Sequence, residues 1–247
     1  MILATRIGGT LAAQLWCLWL SNALCTAEPV RVAHSTPFPP FAELKDGKSQ
    51  GLAIDIVRAA TGRVRIEMEF IAVPIEQMEQ TLRDGRADAL LQAPNSERLK
   101  LLDFSAPVLI TGGALYVRSP NPTPDDLLAM SGKVVVTPQA GPLVAIISRS
   151  APAVKLSVTT DYEQSLARLV DGTADAAALN YHVGGTLADR LYPGQVTKPN
   201  GMFWETPLAI SVLKGRHGDL LERLNKGLAA IRADGTWQQI NARWVAQ

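Results

Sequence analysis

The sequence predicts an α/β protein made of two lobes of similar construction. Strand-like segments alternate with helix-like segments along the 247-residue chain, which implies parallel sheets. One helix–turn–strand pattern also occurs twice, as TLRDGRADALL at 81–91 and as RLVDGTADAAA at 168–178. Each copy ends a helix near a glycine and continues as a short apolar strand without alternation, which is typical of a parallel sheet covered on both faces. Two copies indicate two lobes rather than a long tandem array.

The remaining elements follow from the periodicity of apolar residues. Further strands are predicted at 30–35, 64–71, 113–119, 132–139, 154–160 and 207–214. Further helices are predicted at 51–62, 141–150 and 219–235. A helix start is also predicted at 123–128, where Thr123 would cap the helix and Pro124 would lie in its first turn.

The first 27 residues differ from the rest of the chain. They carry one cation, Arg6, no acidic residue, an apolar middle and small residues at the end. This layout predicts a secretory signal peptide that is cleaved after Ala27, so that the mature protein would be periplasmic. A membrane anchor is the alternative, but Gln14, Ser21 and Asn22 interrupt the apolar stretch, and a spanning helix needs about 20 apolar residues.

Loss of residues 1–27 would leave a mature chain without thiols and without net charge. Both cysteines, Cys17 and Cys25, lie in this segment, and after removal of Arg6 the chain keeps 23 basic and 23 acidic residues. The mature chain would therefore have no disulfide, no thiolate nucleophile and no Cys-ligated metal. Its even charge balance argues against nucleic acid and anionic lipid as partners.

Polar side chains follow the two repeated strands. Gln92 ends the first strand and Asn180 ends the second. Ligands of open α/β sheets bind outside the carboxyl ends of strands, so these amides are the first polar groups that each lobe offers to a cleft. Alternatively, each amide caps a loop. Arg98 comes six residues after Gln92, with Asn95 in the same turn, and its planar guanidinium matches a carboxylate. The alternative for Arg98 is a surface salt bridge.

A second anion contact is predicted in the other half of the chain. The loop that starts at Gln139 enters a helix, for which Pro142 suits the first position and Gly141 would be the cap. The free N–H of Leu143 and the helix dipole would then favour an anion. An ordinary capped helix is the alternative.

Three further residues complete the predicted site. Phe38 lies between prolines in TPFPPF, and a rigid, partly exposed ring is a platform for stacking or cation–π contact. The alternative is that Phe38 fills the core beneath its loop. Trp204 and Glu205 precede a strand that returns the chain to the first lobe, so they would line the cleft or the hinge.

Patterns typical of enzymes are sparse. His34, His182 and His217 have no metal-ligand spacing, and the chain contains no Gly-x-Ser-x-Gly motif and no phosphate-binding glycine loop. General acid–base catalysis by a pair of carboxylates stays an alternative, because the chain has many acidic residues. No cofactor and no metal are expected.

Together these motifs resemble the bacterial extracellular solute-binding proteins of family 3, the receptors for polar amino acids and related small molecules that feed ABC importers. TPFPPFAEL and GLAIDIVRAA resemble the family's aromatic loop and the helix after it. NSERLKLLDFSAPV resembles the signature Thr-Pro-Glu-Arg followed by Asp-Phe-Ser-x-Pro-Tyr. LVDGTADAAALN and LLERLNKGLAAIRADGTWQQINARW resemble the second-lobe segment and the closing helices. The pieces occur in the family's order over residues 28–247.

The resemblance implies a type 2 periplasmic-binding-protein fold, in which two hinge strands join the lobes. Residues 28–114 and 209–247 would form lobe 1, and residues 115–208, inserted between them, would form lobe 2.

The resemblance also implies roles for individual residues. Phe38 would stack on the ligand, Arg98 would bind its carboxylate, and the loop Gln139–Leu143 would bind the same carboxylate from lobe 2. Asn180 stands where the family usually places an aspartate that binds the ligand ammonium. This departure favours a small carboxylate-bearing solute over a standard zwitterionic amino acid.

The expected function is capture of such a solute by lobe closure and delivery to an ABC permease in the inner membrane, with the receptor acting as a monomer. Two alternatives stay open. One is a sensor or accessory subunit that signals without transport. The other is a dehydratase acting on cyclic carboxylates such as arogenate or prephenate, with Glu205 as a candidate proton donor.

Overall fold

The computed structural model describes residues 28–245, so the predicted signal peptide at 1–27 lies outside the described residues. Within 28–245 the chain forms twelve strands and eight α-helices. The strands are β1 Val30–Ser35, β2 Glu43–Lys45, β3 Lys48–Gln50, β4 Met68–Val73, β5 Ala89–Gln92, β6 Leu102–Phe104, β7 Leu109–Arg118, β8 Val134–Pro138, β9 Lys155–Thr159, β10 Ala176–Asn180, β11 Val196–Thr197 and β12 Trp204–Leu213. The helices are α1 Leu52–Arg63, α2 Met78–Arg83, α3 Arg98–Leu101, α4 Leu143–Ser150, α5 Tyr162–Val170, α6 Tyr181–Leu191, α7 Gly218–Ala233 and α8 Thr236–Val245.

One continuous mixed sheet runs through the described chain, in the order β4-β1-β5-β12-β7-β10-β8-β9. β4, β1 and β5 are parallel at one end, and β10, β8 and β9 are parallel at the other. The long strands β12 and β7 pair antiparallel with each other and link the two parallel groups. This arrangement, with helices packed on it, confirms the predicted α/β class.

Each parallel group has its own apolar core. Val32, Ile56 and Leu228 belong to a large cluster on the side of β1, whereas Val135 and Ile147 belong to a cluster on the side of β8. The boundaries 28–114, 209–247 and 115–208 stay a prediction, and the terms lobe 1 and lobe 2 refer to that division below.

The two copies of the repeated pattern hold their strands in the same way. The carboxylate of Asp88, just before β5, accepts a hydrogen bond of 2.9 Å from the backbone N–H of Arg31 in β1. The carboxylate of Asp175, just before β10, accepts one of 2.8 Å from the backbone N–H of Val134 in β8. Each aspartate also donates its own N–H to the carbonyl of the same partner, at 2.8 and 2.9 Å. The aspartate of the repeat therefore fixes the register of the neighbouring parallel strand.

Asp88→Asn is expected to lower the free energy of unfolding at pH 7 by on the order of 1–2 kcal/mol, because the carboxylate also binds the Arg31 guanidinium at 2.8 Å. Burial alone would raise the pKa of Asp88, but the hydrogen bonds and the charge of Arg31 together lower it from its ordinary value of 3.8. Because the folded-state pKa is lowered, the stabilisation is present above about pH 4 and is lost as the pH falls through that pKa.

Urea denaturation at pH 7 and pH 3 measures this effect. The difference in free energy of unfolding between Asp88→Asn and the unmodified protein should be smaller at pH 3 than at pH 7. Asp125→Asn, at an exposed carboxylate, is the control and should change little. Equal stabilities at pH 7 would contradict the role given to Asp88.

Two local predictions are wrong, and one helix was not predicted. Residues 123–128 do not start a helix: the helical turn is a single 3₁₀ turn at Leu128–Met130, and Asp126 rather than Thr123 accepts a backbone N–H there, from Ala129 at 2.9 Å. Helix α4 begins at Leu143 with Pro142 as its N-cap, not Gly141. Helix α6, which follows β10 directly, has no counterpart among the predicted helices.

Candidate functional site

The carboxyl ends of the two repeated strands face each other across the hinge. Gln92, at the end of β5, pairs with Ala209 of β12. Asn180, at the end of β10, pairs with Gly113 of β7, which in turn pairs with Trp204 of β12. β5 and β10 run in opposite directions, so Gln92 and Asn180 bracket about 17 Å of β12, at about 3.4 Å per residue. Polar groups from both lobes therefore point towards the hinge, as a cleft requires.

Phe38 lies in a tight loop after β1. Its backbone N–H donates to the carbonyl of Ala42 at 2.9 Å, and its ring centroid lies 4.8 Å from that of Phe41. The half-buried ring also packs against the core of lobe 1. Phe38 thus has a buried face, which fills the core beneath its loop, and an exposed part, which could stack on a ligand.

Gln92 carries an unused acceptor beside the hinge. The residue is 6% exposed, and its Nε2 donates to Ser211 Oγ at 3.0 Å. Ser211 donates in turn to the carbonyl of Leu90 at 3.4 Å, which orients the amide. Within the described residues, Oε1 of Gln92 has no hydrogen-bond partner. A buried acceptor without a partner costs about 1–3 kcal/mol, so this atom favours a donor on a bound molecule.

Arg98 lies at the same end of β5 but is held within lobe 1. Its Nη1 donates to the carbonyl of Ala93 at 2.9 Å. Its Nε lies 3.6 Å from Oε1 of Glu79, within ion-pair range but too far for a hydrogen bond. The exposed side chain of Asn95 accepts the backbone N–H of Arg98 at 2.8 Å and so stabilises the turn.

The structure therefore does not bring Arg98 together with the lobe 2 loop in this conformation. The cavity of about 60 Å³ that Arg98 lines is bounded by residues of lobe 1, including Leu82 and Leu213. Binding of a ligand carboxylate by Arg98 stays a proposal.

The lobe 2 loop is open to solvent. Gln139 through Pro142 are exposed, and Gly141 has a φ of +101°, which favours glycine. The side chain of Leu143 is buried in the lobe 2 core. Leu143 can therefore contribute to a ligand site only through its backbone, whereas Gln139 has a free side chain to offer.

Asn180 is the N-cap of α6. Its Oδ1 accepts the backbone N–H groups of His182 and Val183 at 3.1 and 3.2 Å, and its Nδ2 donates to Thr111 Oγ1 at 2.9 Å. Both ends of the amide are thus engaged within the protein. A ligand ammonium would have to compete for an oxygen that already accepts two backbone donors.

Trp204 and Glu205 lie on the hinge strand β12, where it runs very close to β7. Trp204 pairs with Gly113 and Glu205 with Gly112. A Cβ on Gly112 would lie only 1.8 Å from the carbonyl oxygen of Trp204, so only glycine fits there. The Trp204 ring is half-buried against the lobe 2 core, and Glu205 is exposed.

Three residues that join the lobes are absent from the predicted site. The rings of Phe41 and His182 meet edge to face, with centroids 5.1 Å apart and an interplanar angle of 64°. The Nδ1 atom of His182 lies 3.1 Å from Oγ1 of Thr111 on β7. An asparagine before apolar residues at 183 and 187 is a helix-start signal that could have identified α6. Nothing in the sequence, however, places its first turn against Phe41.

A small cavity of about 50 Å³ borders this contact, lined by Pro40 and Leu52 from lobe 1 and by Tyr181 and Thr186 from lobe 2, among others.

The described residues show neither a metal site nor a membrane-spanning helix. Among residues 28–245 there is no group of three or more His, Cys, Asp or Glu side chains placed to hold a metal ion. In the same part of the chain, no helix combines the length and the apolar character needed to cross a membrane.

Comparison with known proteins gives consistent matches over most of the chain. The chain is 25% identical over 229 residues to the ABC transporter arginine-binding protein 1 of Escherichia coli K12, covering 90% of this chain and 92% of that protein. It is 26% identical over 231 residues to the L-cystine-binding protein TcyJ of the same organism, covering 84% and 79%. The open form of substrate-binding domain 2 of Lactococcus lactis GlnP has the same fold, with a TM-score of 0.74, 17% identity and coverage of 88% and 95%.

The sequence model of one family matches residues 30–247, nearly all of the chain that follows the N-terminal segment. The two parallel groups of strands, joined by β7 and β12, agree with the fold that the resemblance implied. The chain belongs to the bacterial extracellular solute-binding proteins, family 3.

Proposed function

We propose that this receptor captures a small carboxylate-bearing solute by closing its two lobes and delivers it to an ABC-type importer in the inner membrane. The observation that carries the proposal is the family match over residues 30–247, together with relatives named as arginine-binding and cystine-binding proteins. We also propose that the mature protein acts in the periplasm as a monomer, after loss of residues 1–27.

The polar groups beside the hinge support a particular kind of solute. Two neutral amides, Gln92 and Asn180, end the repeated strands, and Arg98 is the cation next to the first of them. Oε1 of Gln92 is a buried acceptor, so it suits an N–H or O–H group on the solute. These groups together favour a small acid that carries a hydrogen-bond donor and needs no anionic partner for an ammonium group.

Closure follows from the separation of the contacts. Phe38, Gln92 and Arg98 belong to lobe 1, whereas the exposed loop from Gln139 and the N–H of Leu143 belong to lobe 2. A solute that touches both sets stabilises the closed form, because only that form satisfies both sides at once.

Binding rather than turnover is proposed, since the curated relatives described above are binding proteins. A dehydratase on the same scaffold would convert arogenate or prephenate into an aromatic product. Incubating the protein with these two compounds and measuring absorbance of the product distinguishes the two activities.

A thermal-shift screen of the mature chain tests the proposal, using small organic acids, the matching neutral amides and the standard amino acids. A solute at a hundred times its Kd stabilises the folded state by about 2.7 kcal/mol, which raises Tm by about 5–10 °C for a chain of this size. We expect an acid to raise Tm and its amide to have little effect. Equal shifts from acids and amides would contradict recognition of a carboxylate.

A further inference from the structure

We propose that the first turn of α6 is a pH-sensitive latch, in which neutral His182 holds lobe 2 against the Phe41 loop of lobe 1 and acidification releases it. The proposal rests on the contacts between the lobes and goes beyond solute binding. It is therefore independent of which solute the receptor takes.

The latch is anchored rigidly on lobe 2. Asn180 ends β10 and accepts the backbone N–H groups of His182 and Val183, at 3.1 and 3.2 Å. The first turn of α6 is thus fixed to the end of a sheet strand rather than to a loose loop. Thr111, on hinge strand β7, contacts both Asn180 and His182 through its hydroxyl, at 2.9 and 3.1 Å.

The latch is seated in the core of lobe 1. The His182 ring packs edge to face on Phe41, which is fully buried. Val183 is buried within the same apolar cluster as Phe41 and Leu52, although it belongs to lobe 2. Leu187, one turn further along α6, packs against that cluster as well. An apolar face of lobe 2 therefore packs into the core of lobe 1 and contributes directly to the contact between the lobes.

The surroundings of His182 offer an added charge no partner. Within residues 28–245, His182 forms no ion pair. The charged groups that line the adjacent cavity, Asp189 on α6 and Lys198, pair with each other at 2.6 Å.

The other polar side chains around the cavity are the phenols of Tyr116 on β7 and Tyr181 on α6, the hydroxyl of Thr186 on α6 and, from lobe 1, the indole of Trp244 on α8. Behind this indole, Asp55 of α1 accepts its N–H at 3.0 Å. An imidazolium at this half-buried position would lose part of its hydration, and its hydrogen-bond partner there, the Thr111 hydroxyl, carries no charge.

The sign of the pH effect follows from this burial. Burial lowers the pKa of His182 from its ordinary value of 6.5 to about 4. Opening the lobes exposes the ring and restores the ordinary value, so the open form binds the proton more tightly. Closure is therefore most favoured above about pH 6.5, and the ratio of open to closed molecules rises up to about tenfold for each pH unit between 6.5 and 4.

A second histidine, His34, is fully buried, whereas His182 is half-buried, and the titration of His34 must be kept apart from this effect. His34 bonds Ser49 Oγ at 2.7 Å and the carbonyl of Ser35 at 3.1 Å, both within lobe 1. Its protonation would loosen lobe 1 itself rather than the contact between the lobes. A test of the latch must therefore follow lobe opening and secondary structure in the same samples.

Small-angle X-ray scattering on the ligand-free mature chain, from about pH 7.5 to about pH 4.5, provides this test. We expect the radius of gyration to rise as the pH falls, while the far-UV circular dichroism stays constant. His182→Phe keeps a ring against Phe41 and removes the titrating nitrogen, so it should stay compact throughout. His217→Asn, at an exposed histidine on lobe 1, is the control and should open like the unmodified protein.

A constant radius of gyration in the unmodified protein, or equal opening in His182→Phe, would overturn the latch. If His182→Phe does not fold, His182→Gln takes its place, and its radius of gyration should not change between about pH 7.5 and about pH 4.5. NMR titration of the histidine side chains gives a second readout in the unmodified protein. An apparent pKa of His182 near 6.5 would also overturn the proposal, because it would mean that the ring is exposed in solution.

Discussion

Gly112→Ala is expected to destabilise the protein by about 3 kcal/mol or more, which is a fall in Tm of about 6–12 °C. The added Cβ would lie 1.8 Å from the carbonyl oxygen of Trp204 and 2.9 Å from the Cα of Glu205. Both are backbone atoms, so no side chain can move aside to make room. The strands β7 and β12 must separate at the hinge, and the pairing of Gly112 with Glu205 is lost.

The control for this substitution is Gly62→Ala, in helix α1. A Cβ at Gly62 would meet nothing within 4 Å, and alanine is favoured over glycine inside a helix by about 1 kcal/mol. Gly62→Ala is therefore expected to leave Tm unchanged or to raise it slightly. Differential scanning calorimetry measures the Tm of both variants. Similar Tm values would mean that β7 and β12 leave room for a Cβ at position 112.

The parts of the fold that depend on local sequence were predictable. The repeated pattern predicts two helix–strand units, and the structure shows that its aspartates, Asp88 and Asp175, bind the adjacent parallel strands in the same way. Buried parallel strands are uniformly apolar, which is why β5 and β10 were recognisable from short runs. The positions of Gln92 and Asn180 at the strand ends follow directly from these assignments.

The contacts that depend on distant residues were not predictable. His182 meets Phe41 across 141 positions of sequence, and no local pattern encodes that contact. The close approach at Gly112 depends equally on a carbonyl 92 positions away. The direction of the Arg98 side chain depends on its contacts with Ala93 and Glu79, and the sequence shows only the turn that carries it.

Arg98→Ala is expected to weaken binding of the carboxylate solute about tenfold to a hundredfold. The substitution removes at least one charge-assisted hydrogen bond, worth on the order of 1.5–3 kcal/mol. Isothermal titration calorimetry with an acid identified by the thermal-shift screen measures the change. Arg86→Ala, at an exposed arginine of the same lobe, is the matched control and should bind like the unmodified protein. Unchanged affinity in Arg98→Ala would show that the guanidinium does not bind the ligand.

The position of Arg98 beside Glu79 provides a second test of carboxylate binding by Arg98, in which a substitution should tighten binding rather than weaken it. If the guanidinium leaves Glu79 to bind a carboxylate, Glu79→Gln removes the competing charge 3.6 Å from Nε and should tighten binding of the acid. The side chain of Arg98 is 26% exposed, so part of this competition is screened by solvent and we expect a gain of severalfold rather than tenfold. In Arg98→Ala the Glu79→Gln change should have no effect on affinity, because the only other ion-pair partner of Glu79 in the described residues is the exposed Arg83. A purely structural role for Arg98 predicts the reverse: both substitutions would lower Tm, and neither would change the preference of the protein for an acid over its amide.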